Sequence, residues 1–549
     1  VSEGGEVVSS LPIKEKARRL YRAAKGAFRK RVPRKVPSLA LLFDAGWYAK
    51  GLGKKAVLEN PLDHYLKVGF MTGDPNPMFD TAWYVARHPE LRSGRKNPFV
   101  HYFEIGERAG DPPSPRFDPK WYLEKYPDVA ATRASPLAHF LRFGAAEGRL
   151  PKRPAHFDSW AALSGYLAEL PPTLAAVPCS IELPVRAMGS LETLQEGGNA
   201  RDIFRVAGGF CEGLNGAPDY PPSAYVARIE KSMLLAGTRY LVAPSGFLLH
   251  DENAHFLAQP DVAVKYKKAT RSATSGQLNL EAMLRQGAWV ESGLNVMHEY
   301  ENNYFHFIAE TLPRMILAEE AGVPPTVPFL VTGDLHPNIE KLFDISNTAR
   351  RPVIALEKGT LYRVEEMYYP SDLTSVIDAY EGGRAARQTG LDVGRIRMAI
   401  DRCKQRFPVG AIAGKRRIFA SRNGSYRNLL NQKQIENRLL KIGFEIVCAD
   451  ELDLEEQIRI FQDAEMVVGS TGAQMSNMVW CRPGTRVLVL ASDHPSHQLY
   501  FWELLGRVSG AAVTILQGPR ANARDDIYSL HDDYYVDEGA VVAAISRIK

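Results

Sequence analysis

Three side chains near the middle of the chain have the spacing of a proton-transfer site. His306 and Glu310 are four residues apart and Arg314 is four further on, so a helix carries all three along one face. They follow an aromatic run, Tyr300 to Phe307, and Pro313 is expected to bend the helix. A histidine or a carboxylate placed in this way can take the proton of a hydroxyl nucleophile. An arginine beside it can neutralise charge developing on a leaving phosphate. A polar seam where two lobes meet would use the same residues, and spacing alone leaves that reading open.

A second set lies about a hundred residues downstream. The run from Ser421 through Arg422, Gly424 and Arg427 to Asn428 combines two guanidinium groups with a glycine turn. Guanidinium forks match phosphate oxygens, so this suits a diphosphate. Gly469, Ser470, Thr471, Gly472 and Ala473 form a turn that opens a helix and can present backbone N–H groups to an anion. Each has an ordinary alternative: a solvated loop for the arginines, tight strand–helix packing for the glycines. Their joint placement favours a nucleotide site.

The positioning elements are legible around them. Strands are expected over 417–421, 445–448, 466–469 and 486–490, with helices over 431–442, 453–464 and 473–480. Such alternation predicts a doubly wound parallel sheet, which binds ligands beyond the carboxyl ends of its strands. Both polar runs directly follow strands. Upstream, Pro328–Val331 reads as a strand and 391–406 as a basic helix, with connections at 171–178, 217–222 and 408–414.

Residues 41–155 hold a repeat. Phe43-Asp44-x-x-Trp47-Tyr48 recurs at 79–84 and 117–122. Asn60-Pro61-x-x-His64-Tyr65 recurs at 97–102 and, as Ser135-Pro136-x-x-His139-Phe140, at 135–140. The period is 36 to 38 residues. Each unit reads as a helical hairpin: Asp44 caps the first helix, Asn60 with Pro61 starts the second, and Gly69 is expected to stop it in a left-handed conformation. The aromatics are expected to be core, with glycan stacking on exposed ones as the alternative, and the three histidines, in equivalent places on separate units, no metal site. Phe157-Asp158-x-Trp160 reads as a partial fourth opening.

Composition sets the bounds. The 549 residues imply two or three domains, and 45% hydrophobic with 24% charged residues is ordinary for a globular chain. No apolar run reaches the ~18 residues of a membrane-spanning helix, and no signal peptide is visible. Five scattered cysteines, Cys448 expected buried among them, argue against a disulfide or zinc scaffold and fit a reducing cytoplasm. Residues 1–40 carry eleven Lys/Arg and three Glu, a balance of +8 that leaves about −3 for the rest against a total of +5. The tail reads as a basic amphipathic helix for an anionic membrane surface or as a solvated leader. Nucleic acid is not an expected partner, since the body carries no basic surplus.

The motifs together resemble glycosyltransferase family 61. The matching residues are Asn303-Tyr304-Phe305-His306-Phe307-x-x-Glu310-x-x-Pro313-Arg314, Ser421-Arg422 with Arg427 and Asn431, Glu456-Gln457-Ile458 before Ala464, and Val468 to Ala473 with Asn477. The resemblance covers about 290–510 and implies an α/β fold of GT-B type, two Rossmann-like lobes, preceded here by the α-helical repeat module. It implies inverting transfer from a nucleotide sugar to a glycan or lipid-linked glycan acceptor, with no cofactor and no obligatory metal. Ser421, Arg422, Arg427, Gly469, Thr471, Gly472, Ala473 and Asn477 would hold the donor, and His306, Glu310 and Arg314 would serve the chemistry. The repeats resemble those attached to bacterial glycosyltransferases, which implies surface polysaccharide synthesis in the cytoplasm or at the inner membrane. The expected organisation is a tail to 40, repeats over 41–158, an acceptor-side lobe over 159–408 and a donor lobe over 409–549.

Two departures leave the donor open between UDP- and CMP-linked sugars. Thr471 stands where the family often has histidine, and the strand Val487–Leu490 lacks the family's late acidic residue. A glycan-binding scaffold with a degenerate site is the competing reading, against which the intact Arg422, Arg427, His306 and Glu310 weigh. An epimerase of the same architecture is disfavoured by the 303–314 helix.

Overall fold

The structure is a computed structural model that describes residues 39–52, 60–71, 73–92, 94, 96–132, 134–145, 149–170, 176–187, 200–205, 211–212, 224–250, 269–271, 278–297, 300–374, 390–408, 414, 416–422, 424, 427–494, 497, 499–522 and 532–548. The basic tail lies outside the described residues but for its last two. So do most of the connections at 171–178, 217–222 and 408–414. The chain divides into two compact units, Val1–Arg153 and Pro154–Lys549. No described helix is long and apolar enough to cross a membrane.

In the first unit each repeat is a helical hairpin. Asp44, Asp80 and Asp118 accept from the backbone N–H of Trp47, Trp83 and Trp121 at 2.9, 2.9 and 3.0 Å. Asn60, Asn97 and Ser135 cap the second helices, each with proline at its first position. Tyr48, Tyr65, Tyr84, Tyr102 and Tyr122 are buried in one shared aromatic core.

The recurrence of the glycines has another cause than the one expected. Gly69, Gly106 and Gly144 are not left-handed. They lie where the tyrosine of the first helix presses on the backbone of the second. A Cβ would fall 1.7, 2.2 and 2.3 Å from the hydroxyls of Tyr48, Tyr84 and Tyr122. Those hydroxyls then meet Nδ1 of His64, His101 and His139 at 2.7, 3.0 and 3.0 Å. Tyrosine, histidine and glycine are thus one packing device. Each unit also closes on itself, with the N–H of Asp44, Asp80 and Asp118 donating to Pro75, Pro113 and Pro151.

Phe157-Asp158 does not open a fourth hairpin. Phe157 ends a strand, Ala155–Phe157, that pairs with Val177–Leu183. Ser159, not Asp158, caps the helix Trp160–Glu169.

The second unit holds two large sheets. The first has twelve described strands and is mixed rather than uniformly parallel. Its long central strand, Leu278–Asn295, runs antiparallel to Val177–Leu183 and parallel to Thr360–Pro370, which is antiparallel to Tyr225–Leu235. Among the described residues, two stretches of this sheet have the parallel strand–helix–strand form of a Rossmann-like lobe: a short one from Ala155–Phe157 through Trp160–Glu169 to Val177–Leu183, and a longer one. In the longer one the chain passes from Leu278–Asn295 through the 304–320 helix to Phe329–Thr332. It then passes through Pro337–Ser346 to Val353–Leu356, all in parallel.

The second sheet is five-stranded and all parallel: β1 Arg416–Ser421, β2 Glu445–Cys448, β3 Ala464–Ser470, β4 Arg486–Ser492 and β5 Ala512–Gly518. Its order is β2-β1-β3-β4-β5, so the winding reverses between β1 and β3. Cys448, on the edge strand, is only partly buried. Burial pushes the Cys179 and Cys481 thiols up to about 12 and keeps them protonated. One continuous apolar core joins both sheets, from Leu294 and Phe307 to Val467 and Val487. The helix Val393–Arg406 is tied across it, since Arg395 pairs with Asp392 and Glu320 while Arg397 donates to the carbonyl of Val508.

Candidate active site

The two polar sets fall on the ends of strands. Where strand order reverses, the connections leave in opposite directions and open a crevice at the carboxyl ends. Here that point lies between β1 and β3, and it is where Arg422 and Gly472 sit. A Cβ on Gly472 would lie 2.9 Å from Arg422 Nε and 2.4 Å from Gln474 Oε1, so only glycine lets the guanidinium lie along this turn. Arg422 Nη1 donates to the carbonyl of Arg427 at 2.7 Å, pulling the loop back over the strand end. Arg427 itself has φ +53°, a left-handed conformation that costs a non-glycine residue about 1 kcal/mol or more. The neighbouring Asn428 holds it there, its N–H and side-chain amide donating to Asp533 at 2.7 and 3.1 Å. Asn423, Ser425 and Tyr426 lie outside the described residues.

Several members of this set face inward. Ser421 donates to buried Glu436 at 2.7 Å and accepts from Gln432 at 3.0 Å, so its hydroxyl serves the joint between β1 and the helix Gln432–Leu440. A Cβ on Gly469 would meet Met475 Sδ at 2.5 Å and the Ala420 carbonyl oxygen at 3.0 Å; its glycine serves close packing. Thr471 is buried and accepts from the indole N–H of Trp502 at 3.2 Å. Glu456 is also structural, and Gln457 combines structural bonds with a place on the wall of a cleft beside Ala473 and Asn477. Glu456 completes a capping box with Asp453, and Gln457 donates to the carbonyls of Ala449 and Leu452.

Ala473 and Asn477 open onto a cleft of about 260 Å³ between the parallel sheet and the loop before the 304–320 helix. Asn302, Asn303, Tyr304, His336 and Gln474 complete much of its wall. Asn477 Nδ2 donates to Gln474, while its buried Oδ1 has no hydrogen-bond partner among the described residues. A buried amide oxygen left in this state is a ready acceptor for a ligand donor.

The 304–320 helix leaves the carboxyl end of the central strand of the first sheet. Asn303 caps it, accepting from Phe305 N–H at 3.0 Å, and a wide turn at Phe307–Thr311 precedes Pro313, which stands in the first turn of the segment Leu312–Glu320. His306 Nδ1 is 2.7 Å from Glu310 Oε1, and its ring stacks on Tyr300 at 4.8 Å. With Nδ1–H donating to the carboxylate, the ring lone pair lies on Nε2. Glu310 also receives Arg239 at 3.3 Å, and Arg239 pairs in turn with Asp372. Phe305 packs against Phe501 and Trp502, with ring centroids 4.9 and 5.8 Å apart. Tyr304 Oη accepts from Trp480 at 2.9 Å, which fastens this helix to the parallel sheet.

Arg314 does not join His306 and Glu310 in a common opening. It is completely buried and donates to the carbonyls of Pro370, Met297 and Asn295 at 3.0, 3.0 and 2.9 Å. A guanidinium enclosed in this way ties three backbone segments together and does not reach a leaving phosphate. Arg239 and Asp372, which complete the His306 network, were invisible in the sequence. They lie 71 and 62 residues from Glu310 along the chain, and nothing local marks either one.

A mixed α/β unit with a polar crevice at the switch point of a parallel sheet, and a His–Glu pair on a helix packed against that sheet, is consistent with a glycosyltransferase fold. Residues 304–488 match the family Glycosyltransferase 61, so the chain carries a domain of that family over this span. The match runs from the residue before Phe305 to the middle of β4 and takes in His306, Glu310, Arg422 and Gly472. Membership implies transfer of a sugar from a donor to an acceptor. No curated protein matches the chain.

Proposed function

We propose that the domain is a metal-independent inverting glycosyltransferase of GT-B type that uses a nucleotide sugar. The observation that carries this is the placement of Arg422 along Gly472 at the switch point, where a diphosphate would meet the guanidinium. His306 is the base: Nε2 accepts the acceptor hydroxyl proton as its oxygen attacks the anomeric carbon and the nucleotide leaves. Glu310 positions the ring and stabilises the imidazolium, and Arg239 holds Glu310. The buried Oδ1 of Asn477 supports the cleft as the place where a sugar or ribose hydroxyl is read.

The repeats support a setting in bacterial surface polysaccharide assembly, with a lipid-linked or free glycan as acceptor. The basic tail would hold the enzyme at the inner face of the membrane. Unchanged binding to anionic liposomes after deletion of residues 1–36 would remove that part. The donor class is tested by titrating the protein with CMP, UDP, GDP and dTDP beside Arg422→Ala. Selective binding of one nucleotide, weakened at least tenfold in the variant, is expected. Equal binding by both proteins, or none by either, sinks the reading.

A further inference from the structure

The second repeat differs from its neighbours in one respect that bears on ligand chemistry. Every repeat has a tyrosine hydroxyl on Nδ1 of a histidine. Among the described residues, only the second adds another histidine and a carboxylate at the same place. His88 occupies the position of Tyr126 in the third repeat and Leu52 in the first, at the carboxyl end of the first helix. Glu90 Oε1 lies 3.2 Å from His88 Nδ1 and 3.4 Å from His101 Nε2. The three ligand atoms fall within 4.8 Å of one another.

The two separations from Glu90, 3.2 and 3.4 Å, match edges of a coordination polyhedron. A tetrahedral ion with bonds of about 2.0–2.1 Å sets its ligand atoms roughly 3.3–3.4 Å apart. One outer partner is in place as well: Tyr84 Oη is 3.0 Å from His101 Nδ1, while Asp111 Oδ2 lies 3.8 Å from His88 Nε2, just beyond hydrogen-bond reach. With a proton on each of those nitrogens, the lone pairs lie on His88 Nδ1 and His101 Nε2, the two nitrogens nearer Glu90. A hydrogen-bonded outer nitrogen is what fixes ligand tautomers at metal sites.

We propose that His88, Glu90 and His101 bind one divalent ion of the zinc, nickel and copper class. Two imidazoles and one carboxylate suit that class and not calcium or magnesium, which take oxygen ligands. His101 is buried, His88 mostly so and Glu90 half exposed, which leaves the fourth position open on the solvent side. The ion staples the end of the first helix to the second helix of the same hairpin.

The test uses the full-length, tag-free protein stripped with a chelator. Zn²⁺ alone is titrated by calorimetry, with bound metal counted by elemental analysis, and Co²⁺ absorption reports coordination number. One ion per chain, a raised Tm on binding and a four-coordinate cobalt spectrum are expected. His88→Tyr installs the third repeat's residue at a matching position and should weaken binding at least tenfold with the helical signal unchanged. Glu90→Gln, at a half-exposed site, should do the same. No retained ion, or one retained equally by both variants, overturns the proposal.

Discussion

Trp502 donates its indole N–H to the hydroxyl of Thr471, and the same ring packs against Phe305, the residue before His306. The turn after β3 and the helix bearing the histidine therefore share one side chain. Thr471→Val should leave the indole N–H buried without an acceptor and cost about 1–3 kcal/mol of stability. Thermal unfolding measures it. Nucleotide affinity should stay within twofold, because the hydroxyl faces the interior; a large loss of affinity would show that Thr471 touches the donor.

Removal of the base separates binding from chemistry. His306→Ala should lower kcat about 10²- to 10⁴-fold and leave nucleotide affinity unchanged. Full turnover in the variant would exclude His306 from the reaction.

Arg239 acts through Glu310. Arg239→Lys keeps a cation but loses the fork that spans Glu310 and Asp372. A drop of about tenfold in kcat, with KM for the donor unchanged, is expected from steady-state kinetics. Equal changes in both constants would point to a general loosening instead.

At the switch point, Gly472→Ala should push Arg422 off the turn, since the new methyl would lie 2.9 Å from its Nε. Nucleotide binding should weaken about as much as in Arg422→Ala, and the double variant should be no worse than either single one. Additive losses would mean that the two residues act separately.

In the repeats, Gly144→Ala places a methyl 2.3 Å from the Tyr122 hydroxyl and should destabilise by about 1–3 kcal/mol. Tyr122→Phe removes the clashing oxygen, and the next ring atom is 3.4 Å away. The pair should therefore recover part of the loss in a thermal double-mutant cycle. Simple additivity would contradict the contact.

How much of this could be read from the chain follows the range of the interactions involved. β1 to β4 and their helices stood out because alternation and turn chemistry are local; β2 was expected at its observed bounds and β3 within two residues. The hairpins were legible for the same reason, through Asp44, Asn60 and Pro61. β5, Ala512 to Gly518, was missed although Ser509-Gly510 and Gly518-Pro519 bracket it. The mixed first sheet was missed too, because its order depends on pairings between segments far apart, such as Tyr225–Leu235 with Thr360–Pro370. At the site, residue types gave His306, Glu310 and Arg422 but could not say which side chains turn inward. Ser421, Thr471 and Arg314 read as ligand groups from their chemistry. Each is spent on a buried partner that only the fold supplies.

The hydrogen bonds from Asp44, Asp80 and Asp118 to the prolines that end their own units make each hairpin a closed link. Entry and exit lie side by side, so a link can be gained or lost by duplication or deletion without rethreading what flanks it. The array can thus vary its length as a tether does, by whole increments.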